Sequence, residues 1–200
     1  MIVSRKHKFI YLGINKTATT SIENALSPYR NKYYHKYLRI KHNIIHKGKP
    51  AFKHNPALNV KDLVGERIWN SYFSFTFVRN PWARTLSEYT GHRYDKSTSL
   101  KEGFTEWVLA GGNWLAKNNT MKNFVSDEDG KVIVDYIGKL ENINEDMKII
   151  CDKIGIEPME LQHFNTSEKT SYYRDIYTDE TRKIVTDWVV EDAEMFGYEF

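Results

Sequence analysis

Apolar residues along the chain fall into short continuous runs and helical spacings, and the order of these two patterns predicts the architecture. The run Phe9 to Ile14 is unbroken and stops at a polar loop, which predicts a buried strand. After the loop Asn15 to Thr19, the positions Ile22, Ala25 and Leu26 repeat at i, i+3, i+4 ahead of Pro28, as in a short amphipathic helix. Residues 28 to 61 show no clean period and are expected to be mostly irregular, with one or two short helices, the clearest over Asn59 to Leu63.

A second strand is predicted over Tyr72 to Val78, followed at once by Arg79, Asn80 and Pro81. Asn80 suits an N-cap and Pro81 a first helical position, so a helix is expected from Pro81 to about Thr90, before Gly91. Further on, Phe104 to Ala110 reads as helix, and Asp129 and Gly130 as a turn. Tyr136 to Leu140 reads as a third strand. A helix then follows from Asn142 or Asn144 through Ile154, stopped by Gly155, and Thr178 caps another from Asp179 to about Val190. Strand–loop–helix units without a repeat or linker predict one α/β domain over residues 1–200, with a central parallel sheet flanked by helices.

Composition narrows the class. Hydrophobic residues make up 40% of the chain and Gly and Pro together are few, which excludes a disordered or low-complexity polymer. The one cysteine, Cys151, cannot form an internal disulfide and is expected in an apolar helix face, so a disulfide-stapled scaffold and a multi-cysteine zinc site are excluded. No apolar run approaches the ~18 residues of a spanning helix and no signal-peptide core is visible, so a cytoplasmic protein without stable membrane insertion is expected.

Charge is distributed unevenly. The net charge of +3 conceals a front segment, residues 1–61, with 13 Lys and Arg against the single acid Glu23, and a remainder with a net of −9. The stretch Arg30 to Lys53 contains no acid at all. Such a front suits an anionic ligand, although a charge run is as often a solvated face. No aromatic RNA-binding motif accompanies it, and no nucleic-acid partner is expected.

Two constellations carry chemistry. The first is Gly13, Ile14, Asn15, Lys16, Thr17, Ala18, Thr19, Thr20 and Ser21, between the first strand and helix. Small residues let backbone N–H groups converge on an anion, the helix N-terminus adds partial positive charge, and Lys16 adds a full one. A Walker A loop would place Gly before the Lys, where Asn15 stands, so the likeness is one of shape. The second runs from Phe75 to Ser87, with Arg79 at the strand end where ligands of open parallel sheets bind. A Walker-type nucleoside triphosphatase carries an Asp there for magnesium; a guanidinium binds an oxyanion directly and needs no metal.

These two stretches together resemble the sulfotransferases that use 3′-phosphoadenosine 5′-phosphosulfate, in particular the branch of carbohydrate sulfotransferases and their bacterial relatives. His54 with Trp69 to Phe77, Asp135 to Glu141, and Tyr177 to Phe200 extend the resemblance over most of the chain. It implies a P-loop, nucleotide-kinase-like fold. It implies that Lys16, Thr17, Ala18, Thr19, Thr20 and Ser21 hold the 5′-phosphosulfate and that Arg79 and Ser87 hold the 3′-phosphate. Arg84 is equally suited to a structural ion pair. Lys169, Ser171 and Tyr172 are candidates for a loop closing over the nucleotide.

The implied activity is sulfuryl transfer from that donor, without metal, to a hydroxyl of a carbohydrate or glycolipid. Lys16 would stabilise the leaving phosphate, and a general base would take the acceptor proton. His54 is the leading base candidate, with His42, His46, Asp62 and Glu66 as alternatives. Trp107, Trp114 and Trp188 are expected in the core, His163 in a structural or adenosine-facing place, and Trp82 beside the nucleotide. The competing readings are a P-loop-like kinase or nucleoside triphosphatase and a non-catalytic polyanion-binding module.

Overall fold

The structure is a computed structural model that describes residues 1–47, 51–92, 97–113, 117–159, 161 and 172–200. The chain forms two compact units, one of residues 1–78 and 123–164 and the other of residues 79–122 and 165–200.

The first unit is an α/β layer. Its sheet has the order β1 (Ile2–Ser4), β2 (Phe9–Leu12), β3 (Phe73–Val78), β4 (Tyr136–Lys139). β2, β3 and β4 run parallel, with Leu12 opposite Thr76 and Val78 opposite Lys139, so their carboxyl ends share one sheet edge. β1 departs from the expected all-parallel sheet by pairing antiparallel with β2, Ile2 opposite Tyr11, because the tight turn at residues 5–8 leaves only a hairpin connection. Both faces of β2 are buried, which explains its unbroken apolar run.

Helix α1 (Thr19–Leu26) packs Ile22 and Leu26 against Phe9, Tyr11, Phe75 and Phe77 in the same core as Met147, Ile150 and Cys151 of the later helix over Ile143–Ile154. The stretch 28–61 is more ordered than its sequence suggests. It holds the 14-residue helix α2 (Lys32–Ile45), capped by the Asn31 side chain on the Tyr34 N–H at 2.8 Å, then α3 (Ala57–Val64), and is followed by α4 (Glu66–Trp69).

The second unit is helical: α5 (Pro81–His92), α6 (Leu100–Leu109) and the C-terminal helix over Asp179–Phe196 enclose Trp82, Leu86, Phe104, Val108, Val185 and Val189. Between α6 and β4 lies α7 (Met121–Val125); the helix over Ile143–Ile154 is α8 and the C-terminal one α9. Gly155 ends α8 at a φ of 64°, and Thr178 caps α9 in a capping box, as the sequence predicts. α9 runs six residues past Val190 before Gly197 stops it. Trp107 and Trp188 pack edge to face in this core, and Cys151 is buried in that of the first unit.

Candidate functional site

The site is built outward from Gly13, the residue after β2. A Cβ there would collide with the Thr19 side chain and press on the Lys53 carbonyl oxygen, so only glycine lets the strand end, the start of α1 and the segment at Lys53 approach so closely. Beyond it, the buried Ile14 carbonyl accepts from the Thr17 hydroxyl at 3.0 Å and from the Thr19 hydroxyl at 2.5 Å. These two threonines spend their protons shaping the loop.

Lys16 and Ala18 both adopt the left-handed conformation, at φ 66° and 59°. Left-handed residues spaced through a turn rotate successive backbone N–H groups into one concavity, the nest that binds anions. Ala18 is also the N-cap of α1, and among the described residues no side chain caps that helix. The positive end of α1 therefore meets the loop without a side-chain oxygen competing for it. Lys16 and Ser21 are half-buried and Thr20 is exposed. This cradle of backbone donors, a cation and two further hydroxyls fits a tetrahedral oxyanion.

His54 stands at the base of the cradle, its Nδ1 3.0 Å from the Gly13 carbonyl oxygen. A carbonyl only accepts, so Nδ1 carries the hydrogen and Nε2 presents its lone pair. Burial pulls the imidazole below its ordinary value of 6.5, aided by the N-terminal ammonium and Lys53 and opposed by the Gly13 hydrogen bond and Glu23. The result is a neutral ring in the tautomer that can accept a proton. Around it, Lys53 donates to the Thr20 hydroxyl at 2.9 Å and lies 3.6 Å from Glu23, which also takes the N-terminal ammonium at 2.6 Å. Sequence reasoning missed Lys53 and Glu23 as parts of this network. The available signal was that Glu23 is the lone acid among the first 61 residues.

The alternative bases sit elsewhere in the first unit. His42, on the inward face of α2, is fully buried against Phe52 and His46. Asp62 lies in α3, and Glu66 pairs with Lys61 at 3.5 Å.

In the second unit, Asn80 caps α5: its Oδ1 accepts from the Ala83 N–H at 3.1 Å and its Nδ2 donates to the Glu199 carbonyl. Arg79, half-buried, directly follows Val78, and Ser87 is half-buried in α5. Arg84 is 7% exposed, donates to the Asn119 carbonyl at 2.7 Å and lies 3.8 Å from the buried Asp192. Asp192 in turn accepts from the Met121 and Lys122 N–H groups at the start of α7, and burial pushes its carboxyl upward. Arg84 is thus a structural tie between α5, α7 and α9. Trp82 is 4% exposed with its indole N–H on Thr186, and belongs to the core of its unit. Tyr172 is exposed. Lys169, Ser171, His163 and Trp114 lie outside the described residues.

A mostly parallel sheet flanked by helices, with a left-handed loop leaving the carboxyl end of β2, defines the class as α/β. The chain belongs to the sulfotransferase family, whose sequence model matches residues 1–199. It is also similar to a protein of Archaeoglobus fulgidus described only as uncharacterized, 36% identical over 120 residues that make up 58% of this chain and 96% of the relative.

Proposed function

We propose that the protein transfers a sulfuryl group from 3′-phosphoadenosine 5′-phosphosulfate to a hydroxyl of a carbohydrate or glycolipid, as one sulfotransferase domain of P-loop-like type over residues 1–200. The observation that carries this reading is the uncapped, left-handed loop between β2 and α1 with a neutral histidine bonded to its base. Family membership supplies the reaction class.

The bound donor supplies an activated sulfuryl group, whose bond to the 5′-phosphate breaks as the acceptor oxygen bonds to sulfur. His54 takes the acceptor proton on Nε2, and its Nδ1–H on Gly13 fixes the ring and steadies the imidazolium as it forms. Lys16 and the loop N–H groups meet the charge left on the 5′-phosphate, a contribution of about 3 kcal/mol for one such donor. Thr17 and Thr19 hold the loop's shape through Ile14, and Thr20 and Ser21 offer hydroxyls. Arg79 and Ser87 take the 3′-phosphate, a charge-assisted contact that sets nucleotide choice.

The test is a melting experiment in the presence of a chelator. Adenosine 3′,5′-bisphosphate is expected to raise the melting temperature with no metal present. No rise with the bisphosphate, together with a clear rise from magnesium-ATP, would replace this reading with a kinase-like one.

A further inference from the structure

We infer that helix α2 is a docking surface for an anionic lipid bilayer. The apolar arc of this helix is buried at one edge only. Leu38 and His42 turn inward, where α2 packs on β1 and α3. Tyr33, Tyr37, Ile40 and Ile44 are 90%, 55%, 53% and 73% exposed. Their spacing is i, i+4, i+7, i+11, which at 3.6 residues per turn places all four within about 60° of arc along roughly 17 Å of helix. Four large apolar side chains in one exposed stripe are a patch of the kind that marks an interaction site.

The charges around the stripe select the occupant. Lys32, Lys36 and Arg39 are exposed and fall on one flank of the stripe by the same helical geometry. On the other flank, the guanidinium of Arg5 lies over the Tyr34 ring, 5.5 Å from its centroid, and Arg5 shares an all-basic exposed turn with Lys6 and Lys8. Lys41 is the exception, tied to the Asp62 and Leu63 carbonyls. No acid interrupts residues 24–61. A second copy of the chain seated on this stripe would bring two cationic rims together. An anionic bilayer satisfies both features at once: the aliphatic and tyrosyl side chains enter the headgroup boundary while Lys and Arg extend to lipid phosphates. Among the described residues no helix is long and apolar enough to cross a membrane, so the contact is peripheral.

The inference is independent of sulfuryl transfer, and its test involves no activity. The full chain is floated with vesicles of phosphatidylcholine alone or with about a third phosphatidylglycerol, at low and high salt. Recovery is expected to be roughly tenfold or more higher on the anionic vesicles and to fall with salt. The double variant Ile40→Glu/Ile44→Glu, at exposed positions, is expected to keep its melting temperature and lose flotation. Lys36→Gln/Arg39→Gln should lose most of the anionic preference and also melt normally. Equal recovery on both vesicle types, or flotation that survives the Ile40 and Ile44 changes, overturns the inference. So does a lipid-free dimer in sedimentation that Ile44→Glu dissociates, which would assign the stripe to a second copy.

Discussion

Two loops follow neighbouring parallel strands in this chain, and they solve the start of the next helix in opposite ways. After β3, Asn80 caps α5 with its own side chain and Pro81 presets the first helical residue, a relaxed entry. After β2, the chain enters α1 through two left-handed non-glycine residues, and its N-cap Ala18 has no side-chain oxygen to cap the helix. A left-handed L-residue costs about 1–2 kcal/mol, so the second arrangement is maintained against local preference. On the proposed function, the contrast separates two means of holding an anion. The β2 loop would add the Lys16 ammonium to backbone dipoles at a helix end clear of side-chain caps, whereas after β3 the helix end is filled by Asn80 and Arg79 would act by its side chain alone. Dipoles and a cation fixed in place suit charge that develops during reaction, and a planar guanidinium fork suits a phosphate whose charge is already present.

That division is most exposed to kinetics. Lys16→Ala is expected to lower kcat on the order of 10³-fold with little change in melting temperature, because it removes a donor from the loop that meets developing charge. Arg79→Ala should act mainly on the KM for the donor nucleotide. An equal loss of kcat in both variants would erase the distinction. Next in size is the pH dependence of kcat/KM. The base must be neutral to work, and burial holds His54 below 6.5. The acidic limb is therefore expected below pH 6.5 and should be lost in His54→Ala along with roughly 10²-fold or more of turnover. A limb above 6.5 would move the base to another group.

Local signals made much of this visible in the sequence. β2 is a continuous apolar run, β3 alternates Phe73, Phe75 and Phe77 with the small buried Ser74 and Thr76, and Asn80–Pro81, Gly155 and Thr178 mark helix ends by chemistry that needs no tertiary context. β1 is three residues at the chain start, too short to show a period. Helix α2 was hidden for a different reason. Its apolar positions share one broad arc, with Leu38 inward at one edge and Tyr33, Tyr37, Ile40 and Ile44 outward at the other, but Lys41 is set among them and the segment is dense in Lys, Arg and His, which masks the period. The cradle's residues were legible as types, but its shape was not: glycine is the expected left-handed residue, and Lys16 and Ala18 take that role here. The bond from His54 to Gly13 spans 41 residues and has no local signature.

The smallest effects probe the two helix entries directly. Asn80→Ala removes a capping side chain and should cost about 1 kcal/mol, a fall of about 3 °C for a chain of this size. Ala18→Gly is the mirror case. Glycine adopts the φ of 59° without a Cβ clash and relieves about 1–2 kcal/mol, but its looser unfolded chain returns about 0.4–1 kcal/mol of that gain. The expected outcome is a small net stabilisation, a rise of about 1–3 °C in melting temperature, with bisphosphate binding retained because the loop keeps its shape. Since glycine removes strain while leaving every backbone donor in place, a drop in melting temperature would mean that Ala18 contributes packing worth more than its conformation costs. The uncapped entry to α1 would then be held by side-chain contacts, and the contrast with α5 would be one of packing instead of strain.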